Sequence, residues 1–176
     1  MIANTDPEMT FAMDAQADEN SVERKVSRDA VIELIELLYF GYRDFTSDPD
    51  VLLLDFGFGR AHHRVVHFVG RNPGISVAEL LDILRITKQS LARVLKELVE
   101  RGIIEQRSGN ADRRRRLLHL TADGVSLHDR LMQPQIERVQ AAIRHAGGDA
   151  APVFQQILYG LIDEDERDRV EKVVSP

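Results

Sequence analysis

The sequence predicts a mainly α-helical chain with one small β-hairpin near its middle. Three observations predict it. Apolar residues recur at spacings of three and four over most of the chain. Two short amphipathic stretches are separated by only Arg85-Ile86. Directly after the second, two short runs of strand character flank Ser108-Gly109-Asn110, a turn sequence. The 176 residues suffice for one domain with extensions. Absence of cysteine excludes a disulfide framework, thiolate catalysis and Cys-ligated zinc. No apolar run reaches the ~18–20 residues that span a bilayer, and no basic start followed by an apolar stretch marks a secretory signal. A cytoplasmic protein without membrane contact is expected.

Residues 1–26 are polar and acidic without a sustained apolar period, and are expected to form a disordered tail. Across residues 27–45 the positions Val31, Leu34, Ile35, Leu38, Tyr42 and Phe45 make the stripe of an amphipathic helix, which stops at Ser47-Asp48-Pro49. The apolar run 51–58 ends in Gly57-Phe58-Gly59 and reads as a loop or short turn, so 27–59 is a first helix plus a connector. A helix over 60–70 should bury Val65, Val66, Phe68 and Val69 before Asn72-Pro73-Gly74 turns the chain. Ser76-Val77-Ala78-Glu79 has the form of a capping box, opening a short helix with Val77, Leu80, Leu81 and Leu84 inward. The next helix should take Thr87 as N-cap and end before Gly102. Residues 103–107 and 116–120 read as the hairpin strands. Thr121 opens a long helix (Val125, Leu127, Leu131, Met132, Ile136, Val139, Ile143) that Pro134 should kink. A last helix over 151–162, continuing towards Val174 through a run of charges, completes residues 121–176.

Charge is segregated along the chain. Residues 1–59 carry 4 basic and 13 acidic side chains, residues 60–120 carry 13 and 6, and residues 121–176 carry 6 and 10. A basic centre between acidic flanks points to a polyanionic partner, with double-stranded DNA the first candidate. The elements of 60–120 are those of a winged helix-turn-helix: two helices joined by a tight turn, then a hairpin. In the second helix Leu91, Val94, Leu95, Leu98 and Val99 form the inward stripe, while Gln89, Arg93, Lys96 and Glu100 share the opposite face. Thr87, Lys88, Gln89 and Ser90 stand at its N-terminus, where the helix dipole favours phosphate. Gln reads adenine and Arg reads guanine by paired hydrogen bonds in the major groove. The hairpin tip carries Asp112 followed by Arg113, Arg114, Arg115 and Arg116, which suits the negative potential of a narrow minor groove. Ser76, at the start of the first helix of the motif, is the candidate for the DNA backbone.

At these residues the segment 60–121 resembles the winged helix of the MarR family of bacterial transcription regulators. Asp112-x-Arg114 followed by Leu120-Thr121 matches that family's wing signature, and ITKQSLARVLKELVERGIIEQR matches its recognition helix and first wing strand. The resemblance extends over residues 27–165. It implies a homodimer interlocked through the N-terminal helix and the two C-terminal helices. It also implies that Arg114 enters the minor groove with Asp112 orienting it or its neighbours, and that Ser90 and Arg93 face bases or phosphates. The acidic tail and the charged extension after Ile162 depart from the family pattern. The residues reach the dimer independently, because the outer helices carry wider apolar stripes than a compact winged helix covers.

The remaining candidates are fewer. Tyr39, Tyr42, Arg43, His62 and His63 form either a cleft for a small-molecule effector or a polar–aromatic seam where helices cross. His63 and His67 lie four apart, but without a His-Glu-x-x-His pattern packing is preferred to a metal site. Gly57-Phe58-Gly59 lacks the third glycine of a dinucleotide fingerprint. The acidic run 163–166 has charged residues where a calcium loop needs glycine, and reads as a solvated helix face. Glu33 and Glu36 sit on a helix's polar side with no pocket to perturb them. No cofactor, metal or enzymatic constellation emerges. The expected function is a sequence-specific, ligand-responsive repressor; its rival is a winged helix used for protein–protein contact without DNA specificity.

Overall fold

The structure is a computed structural model that describes residues 26–108 and 116–174. The chain divides into two units, residues 1–37 and 38–176. In the first, the described residues form the start of helix α1 (Arg28–Ser47), with the Ser27 hydroxyl accepting the Ala30 N–H at 3.3 Å. The rest of α1 belongs to the second unit. It is followed by α2 (Asp50–Asp55), α3 (Arg60–Arg71), β1 (Ile75–Ser76), α4 (Val77–Leu84) and α5 (Lys88–Glu100). Strands β2 (Ile104–Ser108) and β3 (Arg116–Leu120), helices α6 (Ala122–Ala146) and α7 (Ala150–Gly160), a 3-10 turn (Glu164–Glu166) and α8 (Arg167–Val174) complete the order.

The core is aliphatic. Val65, Val66 and Val69 of α3, Leu80 of α4, and Leu91, Leu95 and Leu98 of α5 meet Ile104 and Leu118 of the sheet and Leu127 and Leu131 of α6. Each such side chain contributes ~1.5–3 kcal/mol by leaving water. The local signals that open the helices act where expected. Ser76 accepts the Glu79 N–H while Glu79 accepts the Ser76 N–H at 2.8 Å. Thr87 accepts the Ser90 N–H at 3.2 Å, and Thr121 accepts the Gly124 N–H at 3.0 Å. Gly102, at φ +68°, turns the chain after α5 into β2.

Three features differ from expectation. The run expected as loop at 51–58 forms α2, which buries Leu53; at six residues it is too short to display a helical period. The sheet has three strands in the order β1-β3-β2, because Ile75 and Ser76 pair with Leu118 and Leu117. Two residues carry no alternation that a sequence could display. Helix α6 holds Pro134 within its span, where the sequence placed it. The last helix ends at Gly160, and the charged run forms a separate turn and helix instead of continuing it.

Apolar surface is left uncovered on the outer helices. α1 and α7 bury none of their residues, and Leu34, Ile35, Leu38, Val153, Phe154 and Ile157 are all exposed. A cleft of about 560 Å³ opens between α6 and α7, lined by Ile143, Val153, Phe154 and Ile157 among others. Among the described residues no helix is long and apolar enough to cross a membrane.

Candidate nucleic-acid interface

Helix α5 presents two chemically distinct faces. Leu91 and Leu98 are completely buried and Val94 and Leu95 nearly so, which fixes the rotation of the helix against α3 and the sheet. Thr87, Lys88, Gln89, Ser90, Arg93 and Lys96 are all exposed, so the structure places all six on the solvent side of one helix. At its N-terminus the Thr87 hydroxyl donates to Ser90 Oγ at 2.8 Å while accepting the Ser90 N–H. This leaves the Ser90 hydroxyl hydrogen available to an outward acceptor. Val99, expected inward, is 38% exposed and lines a cleft of about 480 Å³ with Ala92, Leu95 and Gln106, between α5 and the hairpin. The inward stripe is therefore not covered at Val99.

Glu97 is a residue that the sequence reading passed over. Its Oε2 receives the His62 Nε2–H at 2.7 Å, and its Oε1 lies 3.7 Å from Arg93 Nε. His62 Nδ1 in turn accepts the Gly59 N–H at 3.1 Å, which assigns the ring proton to Nε2. A buried histidine, itself stacked on Phe58 at 4.6 Å, thus orients the carboxylate beside an exposed arginine of the candidate face. Nothing in the sequence spacing connects positions 62 and 97. Lys96 has a comparable neighbour in Glu100, 3.7 Å away. Both pairs are open to water and weak, so the two cations are free to exchange partners.

The hairpin supports the other candidate element. Ile104 pairs with Leu120, Gln106 with Leu118 and Ser108 with Arg116, so the chain leaves and re-enters the ladder at Ser108 and Arg116. Arg116 donates to Gln106 Oε1 at 3.3 Å across the strands. The wing candidates Asp112, Arg113, Arg114 and Arg115 lie outside the described residues.

Ser76 is placed differently from expectation. It is 5% exposed, and its hydroxyl donates to Glu79 Oε2 at 2.5 Å. The capping box and the burial of β1 consume the hydroxyl, so it offers nothing to a phosphate. The five effector candidates also have separate surroundings. Tyr42 accepts from Arg64 at 3.2 Å, Arg43 pairs with Asp44 at 2.8 Å and stacks over Phe40, and Tyr39 meets Phe40 edge-on. His62 is a core and capping residue, as above. His63 lies beside α6 with its Nε2 buried and without a hydrogen-bond partner, and burial lowers its pKa. The Tyr42–Arg64 contact joins two helices, as a polar–aromatic seam would. One turn on, His67 stacks on His128 at 5.8 Å and contacts Met132 Sδ at 3.2 Å. Burial first, and then the neighbouring His128 and His63, push its pKa down to about 4. No group of three or more His, Cys, Asp or Glu among the described residues is arranged to hold a metal ion.

Residues 56–115 match the sequence model of the MarR family. Over 129 residues the chain is 46% identical to the HTH-type transcriptional regulator PetP of Rhodobacter capsulatus, an alignment that spans 73% of this chain and 78% of that protein. The chain belongs to the MarR family. A second relative by sequence, the putative transcriptional regulatory protein for the hcr operon of Thauera aromatica, is 30% identical over 76 residues, 43% of this chain and 46% of that one. The fold agrees with solved structures of MarR regulators. MarR itself superposes with a TM-score of 0.58 over 85% of this chain and 97% of that one at 23% identity. A MarR variant from E. coli in complex with operator DNA superposes with a TM-score of 0.59 over 77% and 97% at 20% identity. The sheet of this MarR-family chain is the base of the wing, and α4 and α5 are its helix-turn-helix.

Proposed function

We propose that this chain is a sequence-specific DNA-binding transcriptional regulator that acts as a homodimer on a pseudo-palindromic operator, as a repressor relieved by a small ligand. The observation that carries this reading is the division of α5. Its apolar side is sealed into the core, while Lys88, Gln89, Ser90, Arg93 and Lys96 are exposed together. Such a face fits a major groove, where Gln and Arg discriminate bases and Lys and the helix N-terminus hold phosphate. The complex of a MarR variant with operator DNA supports the same use of the fold. Asp112, Arg113, Arg114 and Arg115 are assigned to the minor groove by their likeness to the family's wing signature.

The dimer reading rests on the uncovered apolar faces of α1 and α7, which a second copy would remove from water. Two recognition helices related by a twofold axis read half-sites ~34 Å apart. A ligand that binds one spacing of those helices better than another shifts DNA affinity by that difference, which is how relief of repression would operate.

A mobility-shift titration against the DNA upstream of the protein's own gene tests the reading. Salt-sensitive binding is expected. Arg93→Ala or Gln89→Ala should alter base preference, at about 1–3 kcal/mol for a lost base contact. Arg114→Ala should weaken binding on every sequence and lower the salt slope by about one. A monomer by sedimentation, or no salt-sensitive binding to DNA, would overturn it in favour of a protein-contact module.

A further inference from the structure

We propose that Arg85 is a phosphate-contacting residue of the DNA-binding unit, and that the acidic segment 163–166 of the same chain occupies it when DNA is absent. The C-terminal extension is then an intramolecular competitor of the duplex. This rests on the DNA-binding reading above and adds its regulation.

Arg85 forms the turn between α4 and α5, and among the described residues it is the one non-glycine with positive φ, at 51°. A left-handed conformation is strained for an L-residue and free of that strain for glycine. The turn thus carries a long cation at a conformational penalty, two residues ahead of the N-cap of α5. At ~3.5 Å per residue this places it about 7 Å along the chain from Thr87, within one Debye length of the proposed phosphate site.

The extension is fastened to this turn. Beyond α7, Glu166 accepts a hydrogen bond from Arg85, and a second from Arg169. Arg169 also donates to the Asp82 carbonyl at 3.0 Å, satisfying an acceptor in the last turn of α4. Arg71, at the end of α3, donates to the Val174 carbonyl at 3.3 Å. Glu166 ends a run of four carboxylates, Asp163, Glu164, Asp165 and Glu166, of which Asp163 and Asp165 line the surface around the pair. Bonding to Arg85 holds the Glu166 carboxyl below the usual range, so it is ionised at neutral pH. Asp163, Glu164 and Asp165 are solvated as expected, while Glu166 is half-buried in an anionic clasp.

Carboxylate and phosphate are alternative acceptors for the same guanidinium fork. The Arg85 side chain remains 63% exposed in the pair, so a phosphate has access to it. An exposed pair of this kind is weak, and exchange for a polyanion that also engages α5 is favourable. Displacement of Glu166 would remove four carboxylates from beside the duplex, and their presence opposes binding.

The test is fluorescence anisotropy of the full-length chain with a random-sequence duplex, since phosphate contacts are independent of sequence. Glu166→Gln should bind more tightly, by up to about fivefold at 0.15 M salt, because Arg85 then meets a phosphate without first giving up an ion pair. Arg85→Ala should bind more weakly than wild type and should abolish the gain when combined with Glu166→Gln. Because the clasp variants could disturb folding, two further readouts apply. The triple variant Asp163→Asn, Glu164→Gln, Asp165→Asn keeps the Glu166 clasp and should also bind more tightly. Hydrogen exchange over 163–174 should accelerate when duplex is added to wild type. Unchanged or weaker binding by Glu166→Gln, or protection of 163–174 by DNA, overturns the competitor and leaves the DNA-binding reading intact. Failure of wild type to bind any duplex overturns both.

Discussion

Gly124 offers the sharpest check on how the wing is mounted. It lies in the first turn of α6, buried against the end of β3 and the start of β2. A Cβ at this position would stand 2.1 Å from the Ile103 carbonyl oxygen, 3.1 Å from its carbon and 3.2 Å from Leu120 Cβ. The first contact is more than about 1 Å shorter than van der Waals separation. The obstacle is backbone, and it is held: the Ile103 oxygen accepts the Thr121 N–H at 3.1 Å, and the Thr121 hydroxyl donates to the Gly102 oxygen at 2.5 Å. Gly124→Ala must therefore push α6 away from the strand base. Helix propensity alone predicts the opposite sign, a gain of up to about 1 kcal/mol. Overpacking against fixed backbone costs about 3 kcal/mol or more, so a net loss of about 2–3 kcal/mol is expected. For a chain of this size that lowers Tm by roughly 4–12 °C. Thermal unfolding at fixed protein concentration measures it, with Ser126→Ala, exposed on the same helix, as a control expected within about 0.5 kcal/mol of wild type. A Gly124→Ala protein as stable as wild type, or more so, would refute the close approach.

Two further outcomes follow from the buried histidines. His67 is neutral in the fold down to about pH 4, whereas in the unfolded chain it takes its proton near 6.5, so its contribution is complete above pH ~6.5 and is lost as pH falls towards 4. After allowance for partial solvent access of the ring, the loss is about 1–2 kcal/mol, and His63 acts in the same direction. Urea unfolding at pH 7 and pH 5 should show this loss in wild type and a smaller one in His67→Leu; equal losses would refute it. Glu97→Ala should destabilise by about 1–2 kcal/mol because the buried His62 N–H loses its acceptor, while Glu97→Gln, which retains one, should lose less. Equal stability of the two variants by urea unfolding would show that the His62–Glu97 bond contributes nothing.

Much of this chain was readable without coordinates, for a definite reason. Caps act between residues three apart, and the stripe of α5 repeats within two turns. Ser76 with Glu79, Thr87 with Ser90, Thr121 with Gly124 and the inward set Leu91, Val94, Leu95 and Leu98 were therefore present in the order of the residues. The outward set Gln89, Arg93 and Lys96 follows once that stripe is turned inward. Tertiary structure alone decided what depends on partners distant in sequence. It joined β1 to β3, took His62 into the core against Glu97 thirty-five residues on, and enclosed the hydroxyl of Ser76. It also broke the last helix to bring Glu166 to Arg85, eighty-one residues away. Local periodicity and capping energies extend over about one helical turn; which surfaces meet beyond that distance is set by how the whole core packs.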